Sequence, residues 1–164
     1  MKPNISLKKL RELLNYNPKT GVFIWRVNKS QRVRAGMEAG TRHQGYIRII
    51  INRKAYLAHR LAWFYTYGYF PDELDHRDLN RSNNKINNLR ECTGSQNRCN
   101  RYVYCNNILG IKGIRYKEKK GLYEARISIN GKTIHIGSSK CLEKAKEIYA
   151  KALPMYHKEF ARIS

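Results

Sequence analysis

Asp75-His76, Asn88 and Asn97 are the residues of this chain whose types and spacing best suit chemistry. They lie in one stretch, LDHRDLNRSNNKINNLRECTGSQNR, from Leu74 to Arg98. The oxygens of Asp75 and Asn97 are hard ligands of the kind Mg²⁺ accepts. The imidazole of His76 is the side chain best suited to take a proton from water near neutral pH. Between His76 and Asn88 runs a loop with almost nothing apolar, of a length uncommon unless it has a task.

The formal net charge of +21 adds a partner to this chemistry. A chain so basic attracts a polyanion, strongly and in a salt-dependent way, and nucleic acid is the natural one. The charge is spread over both halves: 20 basic and 7 acidic residues precede Leu109, and 13 and 5 follow from it. A metal site beside a general base in such a chain points to phosphodiester hydrolysis. A protein that merely coats RNA would explain the charge but not the site.

Hydrophobic residues make up 41% of the 164, enough for a packed core in one medium domain or two small ones. The four cysteines, Cys92, Cys99, Cys105 and Cys141, show no C-x-x-C spacing. Neither a structural zinc nor a disulfide framework is expected from them, and reduced intracellular thiols fit best. The start, MKPNISLKKLRELL, lacks a continuous apolar run, and nothing approaches membrane-spanning length. A soluble, intracellular protein with no membrane partner is the expectation.

The elements that must position the site can be read in order. Ser6 caps a short helix with Leu7, Leu10, Leu13 and Leu14 at helical spacing. NPKTG turns the chain into a β-rich run, Val22–Val27. Residues 28 to 45 carry Lys29, Arg32, Arg34 and Arg42 and read as a loop, either lying along phosphates or simply solvated. Tyr46–Ile51 and Lys54–Leu57 form a hairpin closing at Asn52-Arg53. In HRLAWFYTY, from His59, the apolar spacing is helical, so its aromatics are expected in the core. A His at a helix start more often makes a local hydrogen bond; a phosphate contact is the alternative for His59.

Gly68 and Pro71 end that helix, and Leu74–His76 is a short strand entering the site. The loop asparagines, Asn80, Asn83, Asn84, Asn87 and Asn88, can bond their own backbone and hold an irregular path. Leu89–Cys92 returns as a strand. Thr93 with Gln96 makes a capping-box signature for a helix from about Gly94, with Asn97 on its first turn and Asn100 and Arg101 on the same face. Two strands and a helix would bring Asp75, His76 and Asn97 together.

This segment resembles the HNH, or ββα-metal, nuclease motif, and more narrowly the HNH homing endonucleases of phages and introns. The resemblance covers about residues 43 to 98, including AHRLAWFYTYGYFPDELDHRDLNRSNNKINNL. It implies that His76 is the general base, that Asn88 braces the loop and orients the base, and that Asp75 and Asn97 are the metal ligands. Asn97 stands where relatives can have His, and two oxygen ligands imply Mg²⁺ or Mn²⁺. Double-stranded DNA is the implied substrate, cut to 5′-phosphate and 3′-hydroxyl ends. Arg77, Arg98 and Arg101 in the same segment are candidate phosphate contacts.

Beyond a connector at residues 102 to 112, the pattern changes. Gly113–Tyr116, Leu122–Ile129 and Lys132–Ile136 read as three strands, with Asn130-Gly131 as a strong hairpin signal. Leu142 to about Leu153 is an amphipathic helix that Pro154 should end or kink. Three strands backed by one helix resemble the plant ethylene-response-factor DNA-binding domain, which lays its sheet in the major groove. By position Arg115, Lys117, Arg126, Thr133 and His135 would face DNA, His135 standing where that family commonly has Trp. A small domain with a merely wet polar face is the alternative.

The expected fold class is thus α+β: a ββα-metal nuclease core with an N-terminal α/β extension, then a small three-stranded antiparallel sheet with one helix. The expected division is 1–108 for the nuclease and 109–164 for the DNA-binding domain. With no long coiled-coil segment, a monomer that nicks one strand is favoured over a dimer. The competing reading is a non-catalytic, sequence-specific DNA-binding regulator with a degenerate nuclease domain.

Overall fold

The computed structural model describes residues 5–99, 107 and 109–161. The chain divides into two compact units, Met1–Cys92 and Thr93–Ser164, and the described residues form small antiparallel sheets and four α-helices.

The first unit begins with α1, Leu7–Leu13, whose first turn is capped by the Ser6 hydroxyl accepting from the Lys9 amide at 3.1 Å. The helix stops one residue short of its apolar repeat. Leu14, expected as its last apolar position, is extended and starts β1, Leu14–Asn17. Extension still sends Leu14 into the core, opposite Trp25 of β2, Val22–Trp25.

Residues 28 to 45 are not a plain loop. Their last part contains β3, Thr41–His43, paired with β4, Tyr46–Ile51. Gly40 makes the approach feasible: at φ +113°, a Cβ there would lie 2.6 Å from Ile47 Cγ2. The sheet is completed by β5, Lys54–Leu57. Asn52 and Arg53 both take positive φ, the requirement of a two-residue hairpin turn matched to strand twist. Helix α2, Ala58–Tyr67, follows at once and ends on Gly68 in the left-handed conformation. Its Leu61, Ala62, Trp63 and Phe64 join Leu10, Phe23, Trp25 and Ile49 in one core, as the helical spacing of its aromatics requires. The last pair of strands is β6, Glu73–His76, and β7, Leu89–Cys92.

The second unit opens with α3, Gly94–Cys99. Then come β8, Ile114–Lys117, β9, Leu122–Ile129, and β10, Lys132–Ser139, in an antiparallel sheet with β9 at its centre. Asn130 and Gly131, again both at positive φ, set the β9–β10 register at Ile129 opposite Lys132. β10 continues three residues past Ile136, through a bulge between His135 and Gly137 that lets Ser138 and Ser139 pair with Glu124 and Tyr123. Helix α4, Leu142–His157, places Ala145, Tyr149, Ala152 and Leu153 in a core with Ile114, Ala125 and Ile127. Pro154 does not end it: the helix runs a further turn to His157. An interior proline forfeits one backbone hydrogen bond and costs about 3 kcal/mol. The added turn itself is exposed at Met155 and Tyr156, and the chain returns to the core at Phe160 just beyond it.

Candidate active site

The site in the first unit is built on the β6–β7 pair. Their register sets Asp75 directly opposite Arg90 and His76 opposite Leu89. Successive side chains of a strand point to opposite faces, so Asp75 and His76 serve different surroundings. Asp75 lies against the Arg90 guanidinium, with Nε at 2.9 Å and Nη2 at 2.8 Å from Oδ2. Both side chains are buried, at 6% and 7% exposure. Two hydrogen bonds to one carboxylate fix its orientation as well as its charge.

His76 is buried at the end of β6. Its ring meets the ring of His59 edge-on, with centroids 4.9 Å apart, and Tyr46 lies 5.3 Å from His59 and 6.1 Å from His76. The Asn84 amide oxygen lies 3.5 Å from His76 Nε2, at the outer limit of a hydrogen bond. Burial lowers the His76 pKa from its ordinary value, and the Arg81 charge acts in the same direction; the Asn84 contact and the charges of Asp78 and Asp75 oppose it. The net effect keeps the imidazole neutral at pH 7, the form that can accept a proton. His59 is shifted further, to about 3, by burial first and then by the neighbouring charges of His76 and Arg60. Its Nδ1 is buried without a hydrogen-bond partner. It therefore makes no local hydrogen bond there, and it stands inside the ring cluster at 6% exposure.

Asn88 braces the loop that His76 enters. Its Nδ2 donates to Asp78 Oδ1 and to the Asn83 carbonyl, each at 2.9 Å, and its Oδ1 accepts from the Asp78 amide at 3.2 Å. The Arg77 amide donates to the Asn88 carbonyl and closes the loop at its neck. Asp78 is the residue that the sequence reading missed. Its carboxylate accepts from the Asn80 amide, Asn83 Nδ2 and Asn88 Nδ2. Partial burial would raise its pKa, but these bonds outweigh it and hold the pKa below the usual value. The signal was available as D-x-N at Asp78–Asn80, an Asx-turn pattern inside the loop.

Support also comes from the N-terminal hairpin. Tyr16 Oη donates to the Asn84 carbonyl at 2.7 Å, and the Ile86 amide donates to the Pro18 carbonyl at 3.2 Å. Gly21, at φ +79°, abuts the loop so closely that a Cβ would lie 2.5 Å from the Lys85 amide nitrogen and 2.6 Å from the Asn84 carbonyl carbon. Part of the N-terminal extension is thus a prop for the loop.

Arg77 is exposed at the loop's start. Asn97 lies on α3 in the second unit, where Thr93 and Gln96 form the expected reciprocal cap: the Thr93 amide donates to Gln96 Oε1 at 2.7 Å, and the Gln96 amide to Thr93 Oγ1 at 3.2 Å. The Asn97 amide donates to the Thr93 carbonyl, and Arg98 is exposed. Arg101 and Asn100 lie outside the described residues.

On the second unit's sheet, register and alternation place Arg115, Lys117, Arg126, Thr133 and His135 on the face opposite α4. Glu124 shares that face. It holds Arg126 through Nε at 3.1 Å and Nη2 at 2.6 Å, and it lies 3.8 Å from Lys117 Nζ. Thr133 and Ser128 are linked through their hydroxyls at 3.1 Å.

No helix among the described residues is long and apolar enough to cross a membrane. Neither a curated protein nor a solved structure matches the chain. A family model described as HNH endonuclease matches residues 56–99, from the end of β5 through α2, both strands of the site, the braced loop and α3. The match supports an HNH nuclease, a kind of enzyme that acts on DNA and generally uses a divalent metal ion.

Proposed function

We propose that this chain is a metal-dependent DNA endonuclease of the phage or intron homing type, with His76 as general base and Asp75 and Asn97 as metal ligands. The observation that carries the reading is a buried imidazole at a strand end, next to a clamped carboxylate, inside the stretch that matches HNH endonucleases. The functional division follows the roles: residues 1–108 hold the nuclease, because α3 carries Asn97, and residues 109–164 dock DNA.

The donor chemistry fits a hard cation. Asp75 offers a carboxylate that Arg90 orients, and Asn97 offers an amide oxygen, a set suited to Mg²⁺ or Mn²⁺ and not to a thiophilic metal. Among the described residues no group of three or more His, Cys, Asp or Glu side chains could hold a metal ion, so phosphate oxygens and water complete the proposed shell. Bound there, the cation supplies positive charge where the phosphate and the departing oxygen gain negative charge.

The protein's own residues do the rest. His76 takes a proton from the water that attacks phosphorus in line, and the 3′-oxygen departs and takes up a proton from solvent. The products carry 5′-phosphate and 3′-hydroxyl ends. Asn88 keeps the loop shut around Asp78 so that the base keeps one position. A single site acts on a single strand, so a monomer nicks. The second unit presents its Arg115-to-His135 face to the major groove, in the manner of the ethylene-response-factor domain.

The test is incubation of the protein with supercoiled plasmid and with a structured RNA, with and without Mg²⁺. Mg²⁺-dependent conversion of plasmid to the open-circular form, with RNA intact, supports the reading. Plasmid bound but left supercoiled in every divalent metal overturns it in favour of a DNA-binding regulator.

A further inference from the structure

The loop between β6 and β7 carries one cation whose surroundings set it apart. Arg81 is exposed, yet its guanidinium carbon lies 5.1 Å from the centroid of Tyr46, the ring that reaches both His59 and His76. Its side-chain stem runs beside Gly45, where a Cβ would come to 3.6 Å from Arg81 Cδ. The neighbouring arginine of this strand pair, Arg90, is buried and spent on Asp75. Among the described residues the Arg81 guanidinium has no ion-pair partner.

The backbone on which Arg81 sits is pinned on both sides. Asn80 donates to Asp78 Oδ1, the Ser82 amide and hydroxyl donate to Asn80 Oδ1, and Asn83 donates to Asp78 Oδ2. A planar guanidinium lying over a tyrosine ring loses less freedom on meeting a ligand than a side chain loose in water. The cluster therefore stands as an exposed cation over a tyrosine, above a buried base.

We propose that Arg81 is a catalytic residue: it binds the non-bridging oxygens of the phosphate that the water activated by His76 attacks. The inference rests on the nuclease reading and adds to it a second source of positive charge, supplied by the chain itself. Arginine presents paired N–H donors to phosphate oxygens, and fixed donors aimed at charge that develops in a transition state stabilise it more than they stabilise the ground state.

The experiment compares wild type, Arg81→Ala and Arg81→Lys in single-turnover nicking of supercoiled plasmid in Mg²⁺, with plasmid affinity measured separately in EDTA. Arg81→Ala is expected to slow the saturated rate by about a hundredfold, the scale for a lost transition-state donor. Plasmid affinity should fall by less than about threefold, as for one phosphate contact among several. Arg81→Lys should regain part of the rate, and the exposed position should leave the melting curve unmoved. A saturated rate within about threefold of wild type in Arg81→Ala, or a loss confined to affinity, overturns the assignment. If wild type itself does not cut, the nuclease reading falls and this inference with it; if wild type cuts and Arg81→Ala cuts equally well, only this inference falls.

Discussion

Replacing Asp75 by Asn should unfold the first unit long before it informs on catalysis. The substitution keeps the shape and removes the charge, leaving the Arg90 guanidinium buried at 7% exposure with its counter-charge gone. Breaking one side of a buried pair costs about 3–5 kcal/mol, more than the net worth of the pair, because the survivor's desolvation is no longer offset. With a urea slope of about 1–2 kcal/mol per molar for a small unit, the midpoint should drop by roughly 1.5–5 M. Removing both charges together, as Asp75→Leu with Arg90→Met, should recover stability to within about 1 kcal/mol of wild type, since a well-packed apolar pair often replaces a buried ion pair at little cost. The cycle of wild type, two singles and the double therefore separates the structural role of Asp75 from its proposed metal role. Urea unfolding followed by far-UV circular dichroism and nicking of plasmid in Mg²⁺ are the two assays. The double variant should be folded and inactive. A midpoint for Asp75→Asn within about 0.5 M of wild type, or a double variant as unstable as the sum of the singles, would refute the argument.

Three further outcomes follow from the same geometry. Gly21→Ala should cost at least about 2 kcal/mol, from a positive φ and a Cβ driven into the backbone at Asn84 and Lys85, and should reduce nicking by loosening the loop; an unchanged urea midpoint would contradict the prop. His59 and His76 have folded pKa values below their unfolded ones, so the stability they contribute is fully present above about pH 6.5 and is lost as pH falls toward 3. Between pH 6.5 and 5, His59 alone should cost about 2 kcal/mol, and His59→Phe should flatten that slope; equal slopes in both proteins would contradict the burial argument. Glu124→Gln should release Arg126 and Lys117 on the sheet face and tighten binding to plasmid, steepening the salt dependence by about one unit; unchanged affinity would mean that this face does not meet DNA.

The sequence disclosed the elements where short-range chemistry dominates. The Asn52-Arg53 and Asn130-Gly131 turns, the Ser6 cap and the Thr93–Gln96 capping box are each fixed by residues a few positions apart, and the strands and helices they bound follow directly. It was less informative where tertiary packing overrides a local signal. Pro154 should end or kink α4, yet the helix runs on to His157, and Leu14 leaves its helical repeat for a strand while still reaching the core. β3 was invisible because Thr41-Arg42-His43 has no apolar alternation; it is exposed throughout and paired only through β4. In the site, the Asp-His pair and Asn88 carried a readable spacing. The clamp on Asp75 did not, because Arg90 becomes its partner only through the register of β6 on β7. The ring contact of His59 with His76 joins residues 17 apart on different elements and has no one-dimensional trace.

The central claim is that His76 is the base of a metal-dependent phosphodiester cleavage, and it is tested most directly by His76→Ala in single-turnover nicking of supercoiled plasmid across Mg²⁺ and Mn²⁺. The account predicts that wild type nicks in either metal and that the variant, shown to be folded by its melting curve, is slower by about a hundredfold or more in both. A folded His76→Ala protein that nicks at the wild-type rate would contradict it.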